Sequence, residues 1–315
     1  MADNVLRLAL AQLNFKVGDL AGNFEKISKA VNTSTDCDLL VFPELALTGY
    51  PLQDLVDRTD LFQQLETIEP KLRALSLIKP FVLGLPVRKA EKTYNAMVLY
   101  AEGRQETTYL KRNLPNYGVF DEKRNFSAGD KVAVIPFQDY NLGFLVCEDA
   151  WSQEIVNEVA EAGADILVTI NASPFELEKL HQRREQVQAR SKETQLPLVY
   201  VNMVGGQDEL IFDGNSMVVN AEGKVCLQLP HCEENVRTVL IQGRKVMTEE
   251  APNELPMLAS TYQALVLAVR DYVEKNGFPG VLLGLSGGID SALALAIAVD
   301  ALGADRVHAV MMPYT

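Results

Sequence analysis

At 315 residues, with 48% hydrophobic and 23% charged side chains, the chain has the length of about two domains and a globular composition. That balance excludes a disordered chain, a collagen-like repeat and a coiled coil. The formal net charge of −13, from 42 acidic against 29 basic side chains, repels phosphodiester backbones and argues against general nucleic-acid binding.

The longest apolar run, residues 292–299, falls far below the ~20 residues of a membrane span. The opening Met1-Ala-Asp-Asn-Val-Leu-Arg lacks the basic and apolar parts of a secretory leader. A cytoplasmic protein that does not enter a membrane is expected. The four cysteines, Cys37, Cys147, Cys226 and Cys232, are too scattered for a disulfide framework and should be free thiols. The question is then which of them is reactive.

In chain order, residues 7–13 read as a strand, 23–32 as a helix and 39–43 as a buried strand ending at Glu44. Residues 81–87, 95–100 and 106–111 read as three strands, the last two joined by a hairpin at Glu102-Gly-Arg. A strand over 142–147 leads into a helix over 153–162, followed by a strand over 165–171. A long polar helix spans 176–195 and stops before Pro197, and a strand over 198–202 follows. A hairpin pairs 216–220 with 224–228 around Ala221-Glu-Gly. Hairpins mixed with βα units imply an α/β architecture whose sheets are covered by helices, not an all-parallel barrel.

Composition changes near Gly243. Residues 244–256 are charged, hold two prolines and show no period, as expected of a linker. An amphipathic helix over 258–275 is followed by a strand over 280–285, a glycine turn, a helix over 291–302 and a strand over 308–312. That is the start of a parallel βαβ unit. The division expected is 1–243, a linker over 244–256, and a second domain from 257 to 315.

Three chemically capable residues stand where strands end: Glu44, Lys111 and Cys147. A cysteine attacks as the thiolate, so it needs a base and a nearby positive charge. Glu44 could supply the first and Lys111 the second, and backbone N–H groups of the strand-to-helix turn could face a developing oxyanion. Taken singly, each has an ordinary structural role open to it. By contrast, Cys226, His231 and Cys232 do not have a zinc-site spacing. His181 and His308 have no evident cysteine or serine partner.

The contexts of the three resemble the nitrilase-type carbon–nitrogen hydrolase superfamily. Phe42-Pro-Glu-Leu-Ala-Leu-Thr-Gly-Tyr-Pro is similar to that family's glutamate motif, Lys111 to its lysine and Cys147-Glu-Asp to the motif at its nucleophile. Phe120-Asp-Glu-Lys-Arg-Asn-Phe matches the auxiliary glutamate, here Glu122. The likeness covers about residues 5–241 and implies the family's α-β-β-α sandwich. More narrowly, the segment resembles the glutaminase domain of the glutamine-dependent NAD synthetase family. That likeness implies a glutamine pocket of Tyr117, Glu148, Trp151 and Ser173. The following basic position, usually Arg, is Lys179 here, and Arg183 lies one turn on. Lys lacks the fork that grips a carboxylate at two points.

The glycine turn, Gly284-Leu-Ser286-Gly-Gly-Ile-Asp-Ser291, formally contains the G-x-S-x-G of serine hydrolases. The required downstream Asp and His would have to come from Asp290, Asp300, Asp305 and His308, all within one βαβ unit. The lysine of a Walker A loop is missing. Ser-Gly-Gly-x-Asp-Ser instead matches the PP-loop of ATP pyrophosphatases. Ser286, Gly287, Gly288 and Ser291 are then the ATP-binding residues, with Asp290 also placed to hold Mg2+.

A nitrilase-type glutaminase ahead of a PP-loop implies the NAD synthetase family. The implied partners are glutamine, ATP and nicotinic acid adenine dinucleotide, with a homo-oligomer plausible. A stand-alone amidase and a non-catalytic nucleotide-responsive module are the rivals. A PP-loop domain also needs several more βα units than residues 257–315 supply. One complete domain and the opening of a second are therefore expected, with glutaminase fold retained and no NAD made by these residues alone.

Overall fold

The structure is a computed structural model that describes residues 4–250, 252 and 255–311. Strand β1 (Val5–Gln12) is followed by helix α1 (Leu20–Thr33), strand β2 (Leu39–Val41) and helix α2 (Thr59–Ser76). Strands β3 (Phe81–Lys89), β4 (Lys92–Ala101) and β5 (Arg104–Leu110) precede the short helix α3 (Glu122–Asn125). Next come β6 (Val134–Phe137), β7 (Tyr140–Val146), helix α4 (Gln153–Glu161), β8 (Ile166–Asn171), helix α5 (Lys179–Thr194) and β9 (Leu198–Asn202). The hairpin β10 (Val204–Gln207) and β11 (Leu210–Asp213) is followed by β12 (Met217–Val219), β13 (Val225–Gln228), β14 (Asn235–Gln242) and β15 (Lys245–Val246). Helix α6 (Met257–Lys275), β16 (Val281–Leu285), helix α7 (Ile289–Leu302) and β17 (Val307–Met311) complete the described elements.

Two sheets face each other. One has seven strands in the order β15-β14-β1-β2-β3-β4-β5; the other has six, in the order β13-β12-β9-β8-β7-β6. Leu8, Leu10, Val41, Val82 and Met97 of the first meet Leu142, Phe144, Val168 and Val201 of the second in one buried cluster. The central strands β7, β8 and β9 run parallel, and every residue of β8 and β9 is buried, as strands covered on both faces require.

Helices α1 and α2 cover the outer face of the first sheet, and α4 and α5 cover that of the second. The result is the expected α-β-β-α sandwich. Helix α1 begins where the Asp19 side chain accepts from the Gly22 N–H, and it turns Leu20, Ile27 and Val31 inward. Helix α2 has no counterpart among the expected elements. Its buried Leu61, Leu65, Ile68, Leu72 and Leu75 recur at alternating spacings of four and three, although Pro70 lies inside it. The β4–β5 hairpin turns at Glu102 and Gly103, both with positive φ, as a two-residue loop demands.

The first sheet reaches further than the expected boundary at 243, because β15 pairs with β14 inside the segment read as linker. Strand β14 was not expected, and it lies antiparallel to β1 from Val5–Gln242 to Gln12–Asn235. Beyond it, β16 and β17 pair in parallel through α7, as the βαβ pattern implied. Met312, the last residue of that strand as read from sequence, lies outside the described residues.

Helix α6 packs on the β10–β11 hairpin. Asp271 accepts from Asn14 Nδ2 at 2.6 Å and the Gly206 N–H at 2.7 Å, while Lys275 Nζ donates to the carbonyls of Phe15 and Gly206. Gly206 allows this approach, since a Cβ there would lie 3.2 Å from Ala268 Cα. His231 Nε2 lies 2.9 Å from the Ser260 carbonyl, a second tie to the same helix.

Candidate active site

Four strand ends converge between the sheets. Glu44 follows β2, Lys111 follows β5, Cys147 follows β7 and Ala172 follows β8. Lys111 Nζ lies 2.7 Å from Glu44 Oε1 and 2.8 Å from Glu122 Oε1, and all three side chains are buried. Asn95 Nδ2, from β4, donates to Glu44 Oε1 at 2.7 Å, and the Ala172 N–H donates to Glu44 Oε2 at 2.9 Å. Tyr50 donates its hydroxyl to Glu122 Oε1 at 3.0 Å. Each carboxylate is thus fixed from more than one side.

Burial opposes a charge on Lys111, but Glu122, Glu44 and Cys147 outweigh it and hold the ammonium well above its ordinary pKa. Burial pushes the Glu122 carboxyl up to about 7; Lys111 opposes the rise and Glu44 adds to it. Glu122 Oε2 is buried without a hydrogen-bond partner. The Cys147 thiol is raised well above its usual value, first by burial and then by Glu44, against the pull of Lys111. At rest the cysteine is therefore a neutral thiol facing a carboxylate. Its φ of +48° places it in the left-handed region at the head of a short helical turn over Cys147–Trp151.

The residues of the implied glutamine pocket gather near this centre. The Tyr117 hydroxyl lies 3.0 Å from both Glu148 carboxylate oxygens, and Tyr117 is 52% exposed. Lys179 Nζ sits 4.9 Å from the centroid of the Trp151 ring, a cation–π contact. Ser173 is buried directly after Ala172, its N–H donating to Asn202 Oδ1. Arg183 does not join them. It is wholly buried, with Nη2 on Asp213 Oδ1 at 2.5 Å and Nη1 on the Gly214 carbonyl. Of the two basic candidates, only Lys179 faces the pocket residues.

Sequence reasoning missed several groups. Asn95 is a lone amide on the inner face of an apolar strand, a pattern visible in Asn95-Ala-Met-Val. Tyr50 and Asp149 lie inside quoted motifs but carried no assignment. Gly84 on β3 gave no signal, yet a Cβ there would lie 2.4 Å from Leu45 N and 2.5 Å from the Pro43 carbonyl oxygen. Only glycine lets β3 pass the Glu44 turn so closely.

The glycine turn after β16 forms a second, separate locus. Ser286 Oγ and Ser291 Oγ lie 3.1 Å apart, and the Gly288 N–H points at Ser286 Oγ. Gly287 has φ +85° and nothing within 4 Å of its Cβ position. An open loop with two hydroxyls at the start of a 14-residue helix fits a phosphate group. Asp290 lies in the first turn of that helix. Among the described residues no group of three or more His, Cys, Asp or Glu is placed to hold a metal ion. A Mg2+ ion there fits Asp290 together with phosphate oxygens, the usual mixed shell of this ion.

Residues 7–247 match the carbon-nitrogen hydrolase family, and residues 261–315 match the NAD synthase family. The chain belongs to the carbon-nitrogen hydrolase family. It is 42% identical over 316 residues to the glutamine-dependent NAD(+) synthetase of Acinetobacter baylyi, a match covering 98% of this chain and 58% of that protein. The enzyme of the same name from Thermotoga maritima is 36% identical over 353 residues, covering 98% of this chain and 60% of its own length.

Among solved structures, the glutamine-dependent NAD+ synthetase of Acinetobacter baumannii superposes with a TM-score of 0.96 at 41% identity, covering 99% of this chain and 60% of that one. An amidase from Nesterenkonia sp. AN1 superposes with a TM-score of 0.69 at 25% identity, over 76% of this chain and 90% of its own. The chain thus spans about 60% of the length of the synthetases it matches. Among the described residues no helix is long and apolar enough to cross a membrane.

Proposed function

We propose that this chain hydrolyses the side-chain amide of glutamine through a thioester on Cys147, and that the ammonia serves an ATP-dependent amidation of nicotinic acid adenine dinucleotide to NAD. The observation that carries the first step is the buried Lys111, bound to both Glu44 and Glu122 and electrostatically coupled to a strand-end cysteine. A solved relative, the Nesterenkonia amidase, bears an acetamide moiety covalently added at its active-site cysteine, which supports a thiol nucleophile here.

The steps follow from the residue types. Glu44 takes the thiol proton as Cys147 Sγ bonds to the amide carbon, and negative charge moves to the amide oxygen. Lys111 and the Glu148 N–H stabilise that oxyanion. Glu44 passes the proton to the amide nitrogen, the C–N bond breaks and ammonia leaves a glutamyl thioester. Glu44 then deprotonates a water that attacks the thioester carbon, releasing glutamate and returning the thiol. Glu122 holds Lys111 in place. The Tyr117–Glu148 pair suits the substrate's α-ammonium, Lys179 over Trp151 suits its α-carboxylate, and Ser173 lines the floor.

For the amidation, Ser286, Gly287, Gly288 and Ser291 would cradle ATP phosphates at the start of α7, and Asp290 would hold Mg2+. Bound there, the ion would neutralise charge on the phosphates. The domain division 1–243, 244–256 and 257–315 follows the same assignment, as do a cytoplasmic location and a homo-oligomer. The four buried free cysteines suit a reducing compartment.

The test is release of glutamate from glutamine by the wild type and by Cys147→Ala. The wild type should hydrolyse glutamine far faster than acetamide or propionamide, and Cys147→Ala should be inactive. Retained activity in Cys147→Ala overturns the mechanism, and preference for small aliphatic amides overturns the substrate. For the amidation, full-length protein that makes no NAD from the dinucleotide, ATP and glutamine overturns that half.

A further inference from the structure

We propose that Asp149 is a positioning residue that clamps the Lys111 segment to the Cys147 turn and thereby sets the reactivity of the nucleophile. The inference rests on Cys147 being that nucleophile.

Asp149 is wholly buried, two residues beyond Cys147. Its Oδ1 accepts from the backbone N–H groups of Arg112 at 3.1 Å and Asn113 at 2.7 Å. Its Oδ2 accepts from the Val146 N–H at 3.0 Å and the Tyr109 hydroxyl at 2.8 Å. Three of these partners flank Lys111 in the chain, and the fourth directly precedes Cys147. One carboxylate therefore ties together the two segments whose side chains must meet.

The turn needs such a clamp. Cys147 holds a left-handed backbone, φ +48°, which costs a residue other than glycine about 1–2 kcal/mol and persists only where its surroundings over-determine it. The bond from Val146 N to Asp149 closes that turn from within. Its partner bonds to Arg112 and Asn113 fix the height at which Lys111 leaves β5. The chemistry of the clamp is specific: three partners are backbone N–H donors, and an ionised carboxylate is acceptor-only. An amide in its place must turn its NH2 toward N–H groups on one side or the other. Burial pushes the Asp149 carboxyl up to about 6, opposed by the Asn113 N–H, Lys111, the Val146 N–H and Tyr109, which leaves it ionised at neutral pH.

The test is the pH dependence of Cys147 alkylation by iodoacetamide in the isosteric Asp149→Asn variant, with the modified peptide identified by mass spectrometry. Glu44, Lys111, Glu122 and Glu148 face the thiol and are unchanged by the substitution. With Lys111 no longer held in register, the midpoint for Cys147 should move up by about one pH unit. A residue that served stability alone would lower the unfolding temperature and leave that midpoint in place, and this result in folded protein overturns the proposal. Should Asp149→Asn not fold, Tyr109→Phe decides, since it removes one donor and keeps the ring. A smaller upward shift supports the clamp, and an unchanged midpoint overturns it. The readout needs no substrate, so failure of the wild type to hydrolyse glutamine would remove the functional assignment without touching this result.

Discussion

Lys111 Nζ lies 2.7 Å from Glu44 Oε1 with both side chains wholly removed from solvent. Burying this pair is expensive, and Glu122, Asn95, Tyr50 and the Ala172 N–H supply the bonds that make it tolerable. The same arrangement holds an ammonium against the thiol.

Removing the cation alone should therefore be costly. Lys111→Met leaves Glu44 and Glu122 facing each other in a dry site, and should lower unfolding free energy by about 3–5 kcal/mol. Urea unfolding with parallel glutamine assays checks this. A folded variant as stable as wild type would contradict the network as drawn.

Glu122 makes stability depend on pH. Its folded pKa, about 7, lies above the unfolded value, so the folded state binds more protons between about pH 4.5 and 7. Its contribution is fully present below the unfolded pKa and is lost as pH rises through the folded one. Glu122→Gln removes this titration. The unfolding temperature of the variant, measured relative to wild type, should therefore rise from pH 4.5 to 7. A flat difference would count against the raised carboxyl.

Lys179 and Arg183 should separate cleanly. Lys179→Ala removes a half-buried cation over Trp151 and should raise KM for glutamine about tenfold with little change in stability. Arg183→Ala strands the buried Asp213 and should cost about 3–5 kcal/mol. Reversed outcomes would place Arg183 in the pocket.

Gly84→Ala tests the approach of β3 to the Glu44 turn. The added methyl meets backbone atoms of Pro43, Glu44 and Leu45, none of which can rotate away. The variant should lose about 1–3 kcal/mol, and glutamine turnover should fall with it. Unchanged turnover would show that the Glu44 turn can move freely.

The strands that end at Glu44, Lys111 and Cys147 were legible because each is a short apolar run closed by a chemically distinct residue. Helix α2 was not read, although its leucine spacing is helical, and Pro70 sits where a continuous helix is least expected. The pairing of β1 with β14 joins residues about 230 positions apart, and no local pattern encodes such a register. The site divides in the same way. Residues with nucleophilic or ionic chemistry announce themselves, whereas Asn95, Tyr50 and Gly84 act through geometry that exists only once the strands are assembled. Arg183 shows the converse, a cation with the right chemistry that folding commits to Asp213.

The most direct test of the account is labelling of the intact protein with a glutamine-like electrophile, followed by peptide mass spectrometry. Cys147 should carry the adduct, with Cys37, Cys226 and Cys232 unmodified and excess glutamine protecting the site. An adduct at any of the other three, or none at Cys147, would contradict the assignment of Cys147 as the nucleophile of a glutaminase.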